Sequence, residues 1–115
     1  MQHDDNVYLA HMLDMARKAQ SLLHGKTRAD FDNSEVLRLA LLHLLQIIGE
    51  AANQVSSQGR AANPELPWDE IVGMRHRVVH DYLGIDEEIV WRTVAEDLPA
   101  LITVLERILD DEEPS

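Results

Sequence analysis

The stretch from Val36 to Ile48 narrows the choice of fold more than any other part of the chain. Val36, Leu37, Leu39, Ala40, Leu41, Leu42, Leu44, Leu45, Ile47 and Ile48 cover nearly the whole circumference of a helix with 3.6 residues per turn. A helix apolar on every side must be buried on more than one face, so other elements have to surround it. At 115 residues the chain is one domain, able to bury roughly two thirds of its unfolded surface. A bundle of four short helices covers less than this helix presents. The excess predicts a dimer, with Gly49, Ala51 and Ala52 letting a second backbone come close. Gly49 costs about 1 kcal/mol against alanine in mid-helix, which suggests a packing reason.

The rest of the pattern is helical as well. Val7, Leu9, Ala10, Leu13, Ala16, Ala19, Leu22 and Leu23 recur at three- and four-residue spacing, which predicts a helix over residues 4–24 capped by Asp4, Asp5 and Asn6 and stopped at Gly25. Asp30 to Asn33 is polar, and Asp32-Asn33-Ser34-Glu35 has the form of a capping box for the second helix, residues 34–54. Ser56 to Leu66, with Asn63-Pro64, predicts a loop. Pro67 suits the first turn of a third helix that carries Trp68, Ile71, Val72, Arg75, Val79 and Tyr82 along one stripe and ends at Gly84. Asp86-Glu87-Glu88 caps a fourth helix to about Asp110, which Pro99 kinks or splits because it removes a donor and clashes one turn back. The expected fold class is therefore all-α, a four- to five-helix up-down bundle over residues 1–110, with residues 111–115 an acidic tail.

Charge and composition exclude several classes of function. There is no cysteine, so neither a disulfide framework nor a thiolate metal site is possible. The N-terminus lacks the features of a signal peptide, and no apolar run reaches the length of a membrane span, so a cytoplasmic protein is expected. A formal charge of −11 repels a phosphate polymer from most of the surface. Any nucleic-acid binding must be local. The same acidity equally suits a protein that binds another protein.

One stretch reverses the sign. Between Met74 and Gly84 lie Arg75, His76, Arg77, His80, Asp81 and Tyr82, which supply two permanent cations, two imidazoles that titrate near neutral pH and a phenol. This set suits a phosphodiester. Arginine stabilises charge growing on a phosphoryl oxygen, and histidine removes or returns a proton. No metal or other cofactor is required.

The spacing Arg75, four residues, His80, one residue, Tyr82 resembles the Arg-x4-His-x-Tyr motif of the HepT family of HEPN-domain toxins, small helical ribonucleases. Ile48-Gly49-Glu50-Ala51-Ala52, Pro67-Trp68, Val90-Trp91 and Asp97-Leu98-Pro99 are similar to further segments of that family, so the resemblance spans roughly residues 6 to 110. One position departs, because His76 stands where the family usually has a polar residue, most often asparagine. The resemblance implies a HEPN-type homodimer with composite sites, acting as the toxin of a type II toxin-antitoxin pair. It implies a metal-independent RNA endonuclease, with Arg75 and His80 catalytic. It also implies that Tyr82 accepts AMP groups from a cognate nucleotidyltransferase of the MNT type, the antitoxin. A phosphoadenosine beside Arg75 would fill the phosphate site and cancel its charge.

On an ideal helix Arg75 and His80 stand roughly 140° apart, whereas Arg75 and Tyr82 are only about 20° apart. Either the helix unwinds near His80, or a second protomer completes the site, or both. His76 and His80 are also spaced for a shared metal, but without a third ligand the pattern is weak. Arg77 is either a second phosphate contact or a surface charge. Asp81 either orients His80 or caps the helix, and Glu50, costly to bury alone, is expected to pair with a motif arginine or to stay exposed. His3, His11, His24 and His43 fit no arrangement. A function of another class stays open: a noncatalytic helical dimer that binds a protein or nucleotide.

Overall fold

The computed structural model describes residues 3–80 and 84–112, with side chains at 4–79 and 84–110. It is a helical bundle, as the periodicity predicts. In chain order the elements are α1 (His3–Leu23), α2 (Arg28–Asp32), α3 (Glu35–Gln54), α4 (Ser57–Ala62), α5 (Trp68–Val72), α6 (Met74–Val78), the two-residue strands β1 (Val79–His80) and β2 (Gly84–Ile85), α7 (Glu87–Arg92), a π-helical turn (Thr93–Asp97) and α8 (Leu98–Glu112). α1 packs along α3 and α8. Among the described residues, no helix is long and apolar enough to cross a membrane.

The core follows the three- and four-residue spacing of its long helices. Leu9, Met12, Ala16 and Ala19 of α1 meet Leu41, Leu45, Ile48 and Ala52 of α3, with Leu98 and Leu105 of α8, all at 0–2% exposure. Each large side chain buried this way stabilises the fold by roughly 1.5–3 kcal/mol. The apolar excess of α3 remains visible at its N-terminal half, where Val36 and Leu39 are 81% and 46% exposed.

Several boundaries differ from expectation. Residues 56–66 contain a helix, α4, because Ser56 caps it by accepting from the Gly59 N–H at 3.0 Å. Ser56 is in turn held by Asp5, which accepts from its backbone N–H at 2.8 Å and its hydroxyl at 2.7 Å. Asp5 is a carboxylate in the first turn of α1, 2% exposed and turned toward Ser56. The capping box expected at Asp32 to Glu35 for the helix over 34–54 is not formed; a box five residues earlier serves the short helix α2 instead. Thr27 and Asp30 exchange it ahead of α2 (2.9 and 3.1 Å), and Ser34 alone caps α3, accepting from the Leu37 N–H. The expected split before Pro99 occurs as the π-helical turn, in which the Leu98 N–H reaches back five residues to the Thr93 carbonyl. That widening gives the proline ring room where an α-helix would clash. α8 runs to Glu112, past the expected start of the tail.

Candidate active site

The site begins with Gly49. A Cβ built there would lie 2.9 Å from the Ile71 carbonyl oxygen and 3.3 Å from the Met74 Cβ, so only glycine lets α5 and α6 press directly onto α3. The expectation that Gly49, Ala51 and Ala52 serve a second chain is thus corrected. Gly49 admits this chain's own backbone, and both alanines are buried in its core.

The predicted third helix is two helices. Gly73, with φ −81° and ψ 8°, ends α5 and starts α6. In α6, Met74 and Val78 are one turn apart and face the core at 5% and 0% exposure, which turns the residues between them outward. Arg75 and His76 are exposed and line one wall of an open groove of about 330 Å³, whose facing wall includes Gln46, Glu50 and Asn53 of α3. Arg77 is half-buried on another side, in a cleft of about 290 Å³ that it shares with Glu65, Glu70, Glu96 and Asp97. The two arginines of the motif therefore face different surfaces.

The helix ends before His80. Val79 has extended dihedrals, φ −120° and ψ 124°, and Val79 and His80 pair antiparallel with Ile85 and Gly84. The Asp86 N–H adds a bond to the Val78 carbonyl at 2.8 Å, and the Asp86 carboxylate caps α7 by accepting from the Ile89 N–H at 3.1 Å. Gly84, with φ +86°, does not stop a helix as expected but opens β2 in a left-handed conformation that glycine takes without strain. The unwinding considered for this segment is present, so the helical angle between Arg75 and His80 no longer governs their placement. Asp81 and Tyr82 lie outside the described residues, and so does the side chain of His80.

Glu50 is exposed, and among the described residues no ion pair joins it to Arg75 or Arg77, although it shares the groove with Arg75. The pairing alternative gives way to exposure because the α3 surface here faces solvent. Among the described residues, no group of three histidine, aspartate or glutamate side chains is placed to hold a metal. Sequence reading missed Gln46 and Asn53. The signal was there, since Gln46, Glu50 and Asn53 recur at i, i+4 and i+7, a polar stripe along the second half of an otherwise apolar helix.

Chemically, the groove offers a guanidinium that has no ion pair among the described residues and an imidazole on one wall, and a carboxylate with two amides on the other. It can hold a phosphate at one side and a hydrogen-bonding ring at the other.

Comparison with known proteins agrees on the family. Residues 12–108 match the family described as "Ribonuclease HepT-like". The chain is 33% identical over 105 residues to a candidate RNase of Caldanaerobacter subterraneus subsp. tengcongensis, covering 91% of this chain and 94% of that protein. It is 33% identical over 98 residues to a candidate RNase of Methanocaldococcus jannaschii (85% and 90%). It is also 35% identical over 79 residues to "Probable ribonuclease HepT" of Thermococcus cleftensis (69% and 72%). No solved structure matches it significantly.

Proposed function

The chain belongs to the HepT-like ribonuclease family, and on that premise we propose that it is the RNA-cleaving toxin of a HepT/MNT-type toxin-antitoxin pair. The observation that carries the reading is Arg75. It is an exposed cation with no ion pair among the described residues, in a groove beside the point where the chain leaves its helix for His80.

In the proposed reaction the ribose 2′-oxygen attacks the adjacent phosphorus and the bond to the 5′-oxygen breaks. His80 takes the 2′-hydroxyl proton or returns one to the departing oxygen. Arg75 stabilises the charge that grows on the non-bridging oxygens. The nucleophile is built into RNA, and arginine supplies the positive charge, so the mechanism does not call for a metal or another cofactor. Tyr82 is proposed as the acceptor of AMP groups from the MNT-type antitoxin, with Asp81 and His76 as neighbours of the motif. Arg77 is proposed to lie off the phosphate path, since its cleft is walled by carboxylates. The setting proposed is cytoplasmic, and the working form a homodimer.

The test is cleavage of RNA by the full chain, alone and with chelator. His80→Ala and Arg75→Ala should each lower the rate about 10²- to 10⁴-fold, with products ending in a 2′,3′-cyclic phosphate and no cleavage of DNA. With ATP, magnesium and the antitoxin, the parent chain should gain mass in AMP units and Tyr82→Phe none. Activity that chelator abolishes while both alanine variants keep the parental rate would falsify this reading.

A further inference from the structure

The groove that carries Arg75 has a wall the chemistry above does not use. Gln46, Glu50 and Asn53 lie along it, one carboxylate between two amides on a single face of α3. We propose that this wall binds a guanine base of the RNA, with Glu50 accepting from the guanine N1–H and N2–H. This rests on the ribonuclease reading for its substrate and goes beyond it in naming the base.

The choice of guanine follows from what a carboxylate can do. An ionised glutamate only accepts hydrogen bonds, through two oxygens side by side. Guanine presents two adjacent N–H donors on its Watson–Crick edge, which match those oxygens. Uracil has one donor between two carbonyls. Adenine and cytosine place an amino group beside a bare ring nitrogen, which would face the second carboxylate oxygen lone pair to lone pair. Guanine O6 is left needing a donor, and the amide NH2 of Gln46 or Asn53 supplies one.

Three features of the groove agree. Its volume of about 330 Å³ is at the lower end of the range for small-ligand sites, the scale of one nucleotide. Glu50 is not engaged by Arg75, so the carboxylate is available for a base and the guanidinium for a phosphate. Their opposite charges also set the direction of binding, because a phosphate is drawn to Arg75 and repelled from Glu50. His76, exposed on the Arg75 wall, presents an imidazole face on which a base can stack.

The test uses short RNAs that differ only in one base next to the cleaved bond, guanine against inosine. Inosine keeps N1–H and O6 and lacks the N2 amino group. The parent chain should favour guanine roughly 10- to 100-fold in kcat/KM, the usual worth of one hydrogen bond to a charged group, here the N2–H bond to the Glu50 carboxylate. Glu50→Gln should bring that ratio close to one. Glu50 is exposed, so the variant is expected to fold, and the inosine substitution asks the same question with no mutation at all. Binding of the same RNAs to His80→Ala reads the base site without cleavage. A guanine preference there that Glu50→Gln removes supports the base site even where no cleavage is detected. Cleavage at equal rates on guanine and inosine overturns the base site and leaves the ribonuclease reading standing. Absence of both binding and cleavage overturns both.

Discussion

At the scale of single residues, glycines decide where backbones can meet. Gly59 is held against the buried carboxylate that anchors Ser56, and a Cβ there would lie 2.5 Å from Asp5 Oδ2 and 2.9 Å from its Cγ. The carboxylate cannot retreat without losing two hydrogen bonds to Ser56. Gly59→Ala is therefore expected to destabilise the chain by about 1–3 kcal/mol, read as a lower urea midpoint with an unchanged slope. Gly25→Ala, where nothing lies within 4 Å but φ is +76°, separates the two causes, since its cost is backbone strain alone. An equal midpoint for Gly59→Ala and the parent would refute the clamp. Neither role is legible in the sequence, because Asp5 is 51 residues from Ser56 and only the fold joins them.

Among the elements, the short helices depend most on their caps, since so few residues cannot sustain a helix by propensity. α2 illustrates this. Its capping box lowers the Asp30 pKa from the ordinary value of 3.8, chiefly through the hydrogen bond from the Thr27 backbone N–H and then that with the Thr27 hydroxyl. A carboxylate depressed on folding contributes stability above its unfolded pKa and loses it as pH falls through the folded one. The stability difference between the parent and Asp30→Asn should thus be fully present above about pH 5 and shrink as pH falls below 3.8. Urea titrations from pH 7 to pH 2.5 measure it, and a difference that stays constant to the acid end contradicts the box. The sequence held the ingredients of this cap and of another at Ser34, seven residues later, and both threonine and serine cap a helix in the fold. Packing of Phe31 at 0% exposure, ring to ring with Trp91 at 5.4 Å, is what selects a helix over residues 28–32.

For the molecule as a whole, the face available for assembly is the apolar surface that the bundle leaves uncovered. Leu22, Val36 and Leu39 are 42%, 81% and 46% exposed, and Leu22 and Val36 border one groove between α1 and α3. If this face joins two chains, Val36→Glu with Leu39→Glu should convert a dimer to a particle of about 13 kDa in sedimentation, with helicity retained. Buried carboxylates facing each other across a two-fold axis cost too much to hold. A double variant that sediments like the parent places the interface elsewhere.

The sequence by itself determined the long helices α1 and α3, the helical class of the fold and which stretch gathers the arginines and histidines of the motif. Helical periodicity, caps and the spacing Arg75, His80, Tyr82 are local patterns, and local patterns survive in a one-dimensional reading. Tertiary structure decided where the motif helix breaks and which way its side chains face. The chain between Trp68 and His80 has helical spacing throughout, yet it bends at Gly73 because α3 admits it closely at Gly49, and it straightens at Val79 because Gly84 and Ile85 are there to pair with it. Gly49 is more than twenty residues away from the bend, and the strand pair is a contact across a short reversal of the chain rather than a repeat along a helix, so no helical periodicity announces either. The same packing sends Arg75 toward Glu50 and Arg77 toward Glu96, separating two cations that in the sequence stand two residues apart.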